Sequence, residues 1–84
     1  MAKLIVTRAA NEQFMRLPVT IRARVLSVYE RLEAWPQVSG AKPLRGDLAG
    51  NYRIRTGDWR VVFRVEGQNV VVWRIDNRKD VYRE

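Results

Sequence analysis

The chain has 84 residues, 16 of them Lys or Arg and 9 Asp or Glu, giving a formal charge of +7 and a pI near 10.8. One domain spanning residues 1–84 is expected, and 46% hydrophobic residues suffice for a single small core. The sequence contains neither Cys nor His, which excludes disulfides, thiolate or imidazole zinc sites, Ser-His-Asp triads and histidine acid–base pairs.

Leu4-Ile5-Val6 is a short, largely β-branched run and reads as an opening strand. Thr7 is placed to cap a first helix running to about Leu17, with Ala10, Phe14 and Leu17 on one face. Pro18 ends that helix and suits the first turn of a second. In the second helix Ile21, Val25, Val28, Leu32 and Trp35 recur at alternating steps of four and three, and Pro36 stops it. Arg22, Arg24, Glu30, Arg31 and Glu33 fall largely outside the stripe. The two helices are expected to bury these faces together or against a sheet.

Pro36, Gly40, Pro43, Gly46 and Gly50 mark a loop. The period then changes to two. Tyr52 to Arg55 alternates, Gly57-Asp58 signals a turn, Trp59 to Val65 alternates again, and Glu66 to Asn69 forms a second turn before Val70 to Ile75. An antiparallel meander follows. Within the last strand Val71, Trp73 and Ile75 read as the buried set, leaving Val70, Val72 and Arg74 outward, which requires a bulge near Gly67. The stretch from Asp76 to Glu84 reads as a polar tail in which only Val81 has core character.

A two-residue loop at Gly57-Asp58 sets Thr56 opposite Trp59, Arg55 opposite Arg60, Ile54 opposite Val61, Arg53 opposite Val62 and Tyr52 opposite Phe63. One face of the hairpin is then Tyr52, Ile54, Trp59, Val61 and Phe63. The other is Arg53, Arg55, Arg60, Val62 and Arg64. Like charges directly opposite one another destabilise a sheet, so this face makes sense where an anion docks. Lysine occurs only at Lys3, Lys42 and Lys79, and the Arg excess favours phosphate, whose oxygens match the guanidinium fork. The plain alternatives are arginine-rich codon usage and a solvated face whose stems cover the sheet. Trp35, Trp59 and Trp73 read as core aromatics in preference to base-stacking platforms. Tyr29, at the edge of the helix stripe, suits the core or a partner-facing surface. No apolar run approaches the ~20 residues of a membrane span and no secretory signal is visible, so a cytoplasmic location without a membrane partner is expected.

Residues 42–83 carry a resemblance to a known family. Lys42-x-Leu44-x-Gly46, then Tyr52-Arg53-Ile54-Arg55-x-Gly57-Asp58-Trp59-Arg60-Val61-Val62-Phe63, then Asn77-Arg78-Lys79-Asp80-Val81-Tyr82-Arg83 resemble the RelE/ParE toxin superfamily, and within it the RelE-like messenger-RNA interferases. The resemblance implies an α+β fold: an N-terminal strand and two antiparallel helices packed on one face of a curved, mainly antiparallel four-stranded sheet. It implies a type II toxin that cleaves mRNA in the ribosomal A site by attack of the neighbouring 2′-hydroxyl, with no metal or cofactor. It also implies a cognate acidic antitoxin bound in a hetero-oligomer.

By the same resemblance, catalytic roles are expected of Arg60, Arg78, Tyr82 and Arg55, and RNA-binding roles of Arg53, Arg64, Lys79 and Arg83. Arg60 and Arg78 would hold charge on the phosphorane, and Tyr82 would stack, orient or carry a proton. Lys79 and Arg83 could equally be a solvated tail. The chain departs from better-studied relatives in carrying Arg at 53 and 55 where they have Lys, and Asn77 where many have His. Arginine does not deprotonate, so the base that removes the 2′-hydroxyl proton is unassigned. Tyr82 is its obvious candidate, while Asp76 and Asp80 suit pairing with tail arginines better. A ParE-like gyrase inhibitor acting by protein binding and a degenerate toxin that only binds antitoxin are the alternatives. Arg78 and Tyr82 favour the nuclease.

Overall fold

The structure is a computed structural model, and it describes residues 2–77. Five strands and two helices follow one another as β1 (Lys3–Val6), α1 (Arg8–Met15), α2 (Val19–Leu32), β2 (Lys42–Pro43), β3 (Asn51–Thr56), β4 (Trp59–Glu66) and β5 (Asn69–Asn77). The sheet order is β1-β5-β4-β3-β2, with β1 parallel to β5 and every other pair antiparallel. The stretch expected to be loop contributes the fifth strand, because Lys42 and Pro43 pair with Arg53 and Tyr52. A 3₁₀ turn at Gly46–Leu48 follows it.

Local signals explain the helices. Thr7 Oγ1 accepts from the Ala10 N–H at 3.2 Å and starts α1. The helix closes at Met15, two residues before the expected end, yet Leu17 still points inward. Pro18 caps α2, whose Val25, Val28 and Leu32 are buried. Both helices pack on the sheet more than on each other, α1 over β5 and α2 over β3.

The helix-side core joins Ala10, Leu17, Val25, Val28 and Leu32 to Ile54, Val61, Phe63, Val70, Val72 and Ile75. Trp35, Tyr52 and Phe63 form an aromatic cluster at its edge, with ring centroids 5.0–5.6 Å apart. Trp35 and Trp59 both pack against this core, as expected of them.

β5 corrects the sequence reading. The β4–β5 turn is a plain two-residue loop, with Glu66 opposite Asn69, so Val70 and Val72 face the helices. The register slips further along: Phe63 pairs with Val72 but Val62 with Arg74, which leaves Trp73 as the extra residue of a bulge. Ile75 is restored to the core, while Val71 and Trp73 are not part of it. The strand also runs past Ile75 to Asn77, and Asp76, expected to be tail, is 7% exposed. Its charge is why it read as tail. An arginine partner is why it is buried.

Candidate nucleic-acid interface

The β3–β4 hairpin has the predicted register at every position from Tyr52↔Phe63 to Thr56↔Trp59. Gly57 has φ +64° and precedes Asp58, the Gly-first pattern of a two-residue turn whose twist matches its strands. The arginines therefore share the face away from the helices. Three rows cross it: Asn51, Arg64 and Val71; Lys42, Arg53, Val62 and Arg74; and Arg55, Arg60 and Asp76.

Arg55 and Arg60 sit opposite one another, and the clash is relieved within the fold. Arg60 is 3% exposed, and its Nε and Nη2 donate to the two oxygens of Asp76 at 3.0 and 3.3 Å. Arg74 Nε meets the same carboxylate at 2.9 Å. Arg64 pairs with Glu66. So the anion demanded by this face is partly internal, and among the described residues Asp76 serves the sheet arginines Arg60 and Arg74. Arg55 is exposed and has no ion-pair partner among the described residues. Five arginines and Lys42 against Asp76 and Glu66 leave the face cationic.

Among the expected site residues, the structure brings Arg53, Arg55, Arg60 and Arg64 together on one surface. Arg78, Lys79, Tyr82 and Arg83 lie outside the described residues, as does Asp80. Sequence reasoning missed three members. Lys42 enters the face through β2 pairing, and its signal was the Lys-x-Leu-x-Gly motif ahead of the hairpin. Arg74 was read as outward but given no role. Trp73 was assigned to the core, and here the correction is largest: it is half-buried on the arginine side, and its Nε1 donates to Asn51 Oδ1 at 2.9 Å.

Comparison with known proteins gives this surface its context. Residues 4–82 match the family described as the ParE toxin of the type II toxin-antitoxin system parDE. The chain belongs to the RelE/ParE family of type II toxins. This toxin is 36% identical over 80 residues to Toxin RelG of Mycobacterium tuberculosis, covering 92% of the chain and 91% of the relative. It resembles a chain in the crystal structure of the toxin-antitoxin complex RelBE2 from the same organism, with a TM-score of 0.79, 29% identity and coverage of 92% and 98%. It also shares its fold with a chain of the intact Escherichia coli RelBE complex, at TM-score 0.76 and 21% identity, with coverage of 92% and 96%.

Proposed function

We propose that this toxin is a RelE-like endoribonuclease that cuts messenger RNA on the ribosome, in the cytoplasm, and is neutralised by a cognate acidic antitoxin. The observation that carries the reading is the cationic row Lys42, Arg53 and Arg74, with exposed Arg55 and half-buried Arg64 flanking it, on the face the helices leave uncovered. Guanidinium forks at this spacing suit a phosphate backbone. The similar chain crystallised in the RelBE2 toxin-antitoxin complex supports an antitoxin partner for this toxin.

The reaction would be a transesterification. The 2′-oxygen attacks the adjacent phosphorus, the bond to O5′ breaks, and the products are a 2′,3′-cyclic phosphate and a 5′-hydroxyl. The 2′-hydroxyl loses a proton and the leaving O5′ gains one. Arg55, Arg53 and Arg78 would hold the phosphorane charge, with Arg64, Lys79 and Arg83 on flanking phosphates; one such donor is worth about 3 kcal/mol. Tyr82 would orient the nucleotide or carry the proton. Arg60, buried and forked onto Asp76, would act through that carboxylate by fixing Arg74. Asp76 has both oxygens engaged and is a poor candidate for the base.

Purified toxin added to a translation reaction should yield messenger cut at ribosome-occupied codons, and Arg55→Ala should reduce the cutting without unfolding the protein. Intact messenger in that reaction, with loss of gyrase supercoiling in a parallel one, would move the assignment to a ParE-like inhibitor.

A further inference from the structure

Trp73 is the anomaly of the sheet. A bulge turns it out of the core, yet its ring is not left loose. Its Nε1 donates to Asn51 Oδ1, and Asn51 Nδ2 in turn donates to the Leu48 carbonyl at 3.0 Å. Trp73 lies on β5 and Asn51 on β3, with β4 between them. Two strand spacings amount to roughly 10 Å. A 2.9 Å hydrogen bond across that gap requires both side chains to lie down over β4, between Arg64 and Val62. The indole laid over β4 is half-buried, so part of the ring stays open on the arginine side. That posture also accounts for Val62, which is 1% exposed on the arginine side without belonging to the helix-side core.

The surroundings point to a nucleobase. The row beside the ring holds Lys42, Arg53 and Arg74, and Arg64 flanks it on the other side. A flat aromatic face fixed beside a track of cations is the arrangement by which single-stranded nucleic acid is held, with phosphates on the charges and a base on the ring. Because Asn51 already takes the N–H, the ring offers stacking and no hydrogen-bond readout.

We propose that Trp73, turned out of the core by the β5 bulge and latched by Asn51, is a stacking platform for one base of the RNA strand whose phosphates lie along Lys42, Arg53 and Arg74. The inference rests on the ribonuclease reading and adds a substrate contact to it. Stacking tolerates any base, so the contact would set affinity and register and leave sequence choice to other groups.

The test uses the full chain and a short single-stranded RNA. In binding titrations Trp73→Leu should weaken affinity by about tenfold or more, while Trp73→Phe stays within about threefold. The dependence of affinity on salt should be unchanged in both, whereas Arg53→Ala lowers the slope by about 1. A variant-independent measurement follows the three indole N–H resonances of the wild-type protein. RNA should shift the one that Trp73→Phe deletes and leave Trp35 and Trp59 in place. An unmoved Trp73 signal, or Trp73→Leu binding RNA as wild type does, overturns the proposal, as does a response to an acidic peptide but not to RNA. Cutting of messenger with no Trp73 effect sinks the platform alone. A Trp73 response with messenger left intact sinks the nuclease reading and keeps the base contact.

Discussion

The two faces of the sheet are built from the same strands, and they hold together by different means. On the helix side Phe63, Ile54, Val61, Val70 and Val72 are fully or almost fully buried among apolar neighbours. On the other side burial is nearly as deep at Arg60, Asp76, Val62 and Val71, but two of those four are charged residues. The first face is stabilised by removing apolar area from water, which tolerates small shifts. The second depends on one carboxylate matched to two guanidiniums, which tolerates few. A surface that must accept a polyanion keeps more cations than it can neutralise, and the internal carboxylate prevents that excess from disrupting the fold.

The contrast is broken most directly by one substitution on each face. Phe63→Ala should cost about 3–5 kcal/mol as a cavity. Asp76→Asn should cost roughly 3 kcal/mol, because it strips the charge that compensates buried Arg60. Urea unfolding measures both. The two differ in their remedy: Arg60→Met added to Asp76→Asn should recover much of the loss, as apolar replacement of a buried pair often does. If the double variant is less stable than the single one, the two faces do not differ in the way described.

A smaller effect sharpens the boundary between the faces. β1 ends opposite Val72, so among the described residues β5 runs on without a strand neighbour on that side, and there the Ile75 N–H donates to Gln13 Oε1 of α1 at 2.8 Å. This bond ties the helix layer to the stretch of β5 that carries Trp73, Arg74 and Asp76. Gln13→Met keeps the size of the side chain and loses the acceptor, and should cost about 1–2 kcal/mol. Gln13→Glu retains an acceptor and should cost less. Amide exchange at Ile75 should accelerate in the Met variant and stay slow in the Glu variant.

Much of this arrangement was legible in the sequence, for identifiable reasons. Period-two alternation and a Gly-Asp loop fix hairpin register by counting, so the opposition of Arg55 and Arg60 needed no coordinates. The helix stripes were equally plain. The bulge at Trp73 was not, since Val70 to Trp73 is apolar at every position and an apolar run has no parity to read. β2 escaped because two residues, one of them a proline, show no period. The burial of Arg60 depended on Asp76, sixteen residues away, and a carboxylate next to a polar tail gives no sign of its partner.

Arg55 tests the outward side of the comparison with little disturbance to the fold. It is exposed, so Arg55→Ala should change stability by no more than about 0.5 kcal/mol. Binding to single-stranded RNA should weaken at low salt, with the slope of log affinity against log salt falling by about 1. An unchanged slope would mean that Arg55 meets no phosphate.

A modest effect belongs to the helix side, at Tyr29. Its ring stacks on Phe14 with centroids 5.9 Å apart, but its hydroxyl is buried without a hydrogen-bond partner among the described residues. Burial pushes the phenol from 10.0 up to about 12. Below pH 10 the hydroxyl is neutral in both the folded and the unfolded chain, so this ionisation leaves stability unchanged there. Between pH 10 and about 12 the unfolded chain releases the proton and the folded chain keeps it, so stability falls as pH rises through that window. Tyr29→Phe removes an unpaired polar atom and the titration together. It should raise stability at neutral pH by up to about 1 kcal/mol and flatten the decline above pH 10 relative to wild type. Urea unfolding of both proteins at pH 7 and pH 11 supplies the comparison. A loss at pH 7 would show that the hydroxyl has a partner in solution, and the helix-side face would then carry a polar contact of its own.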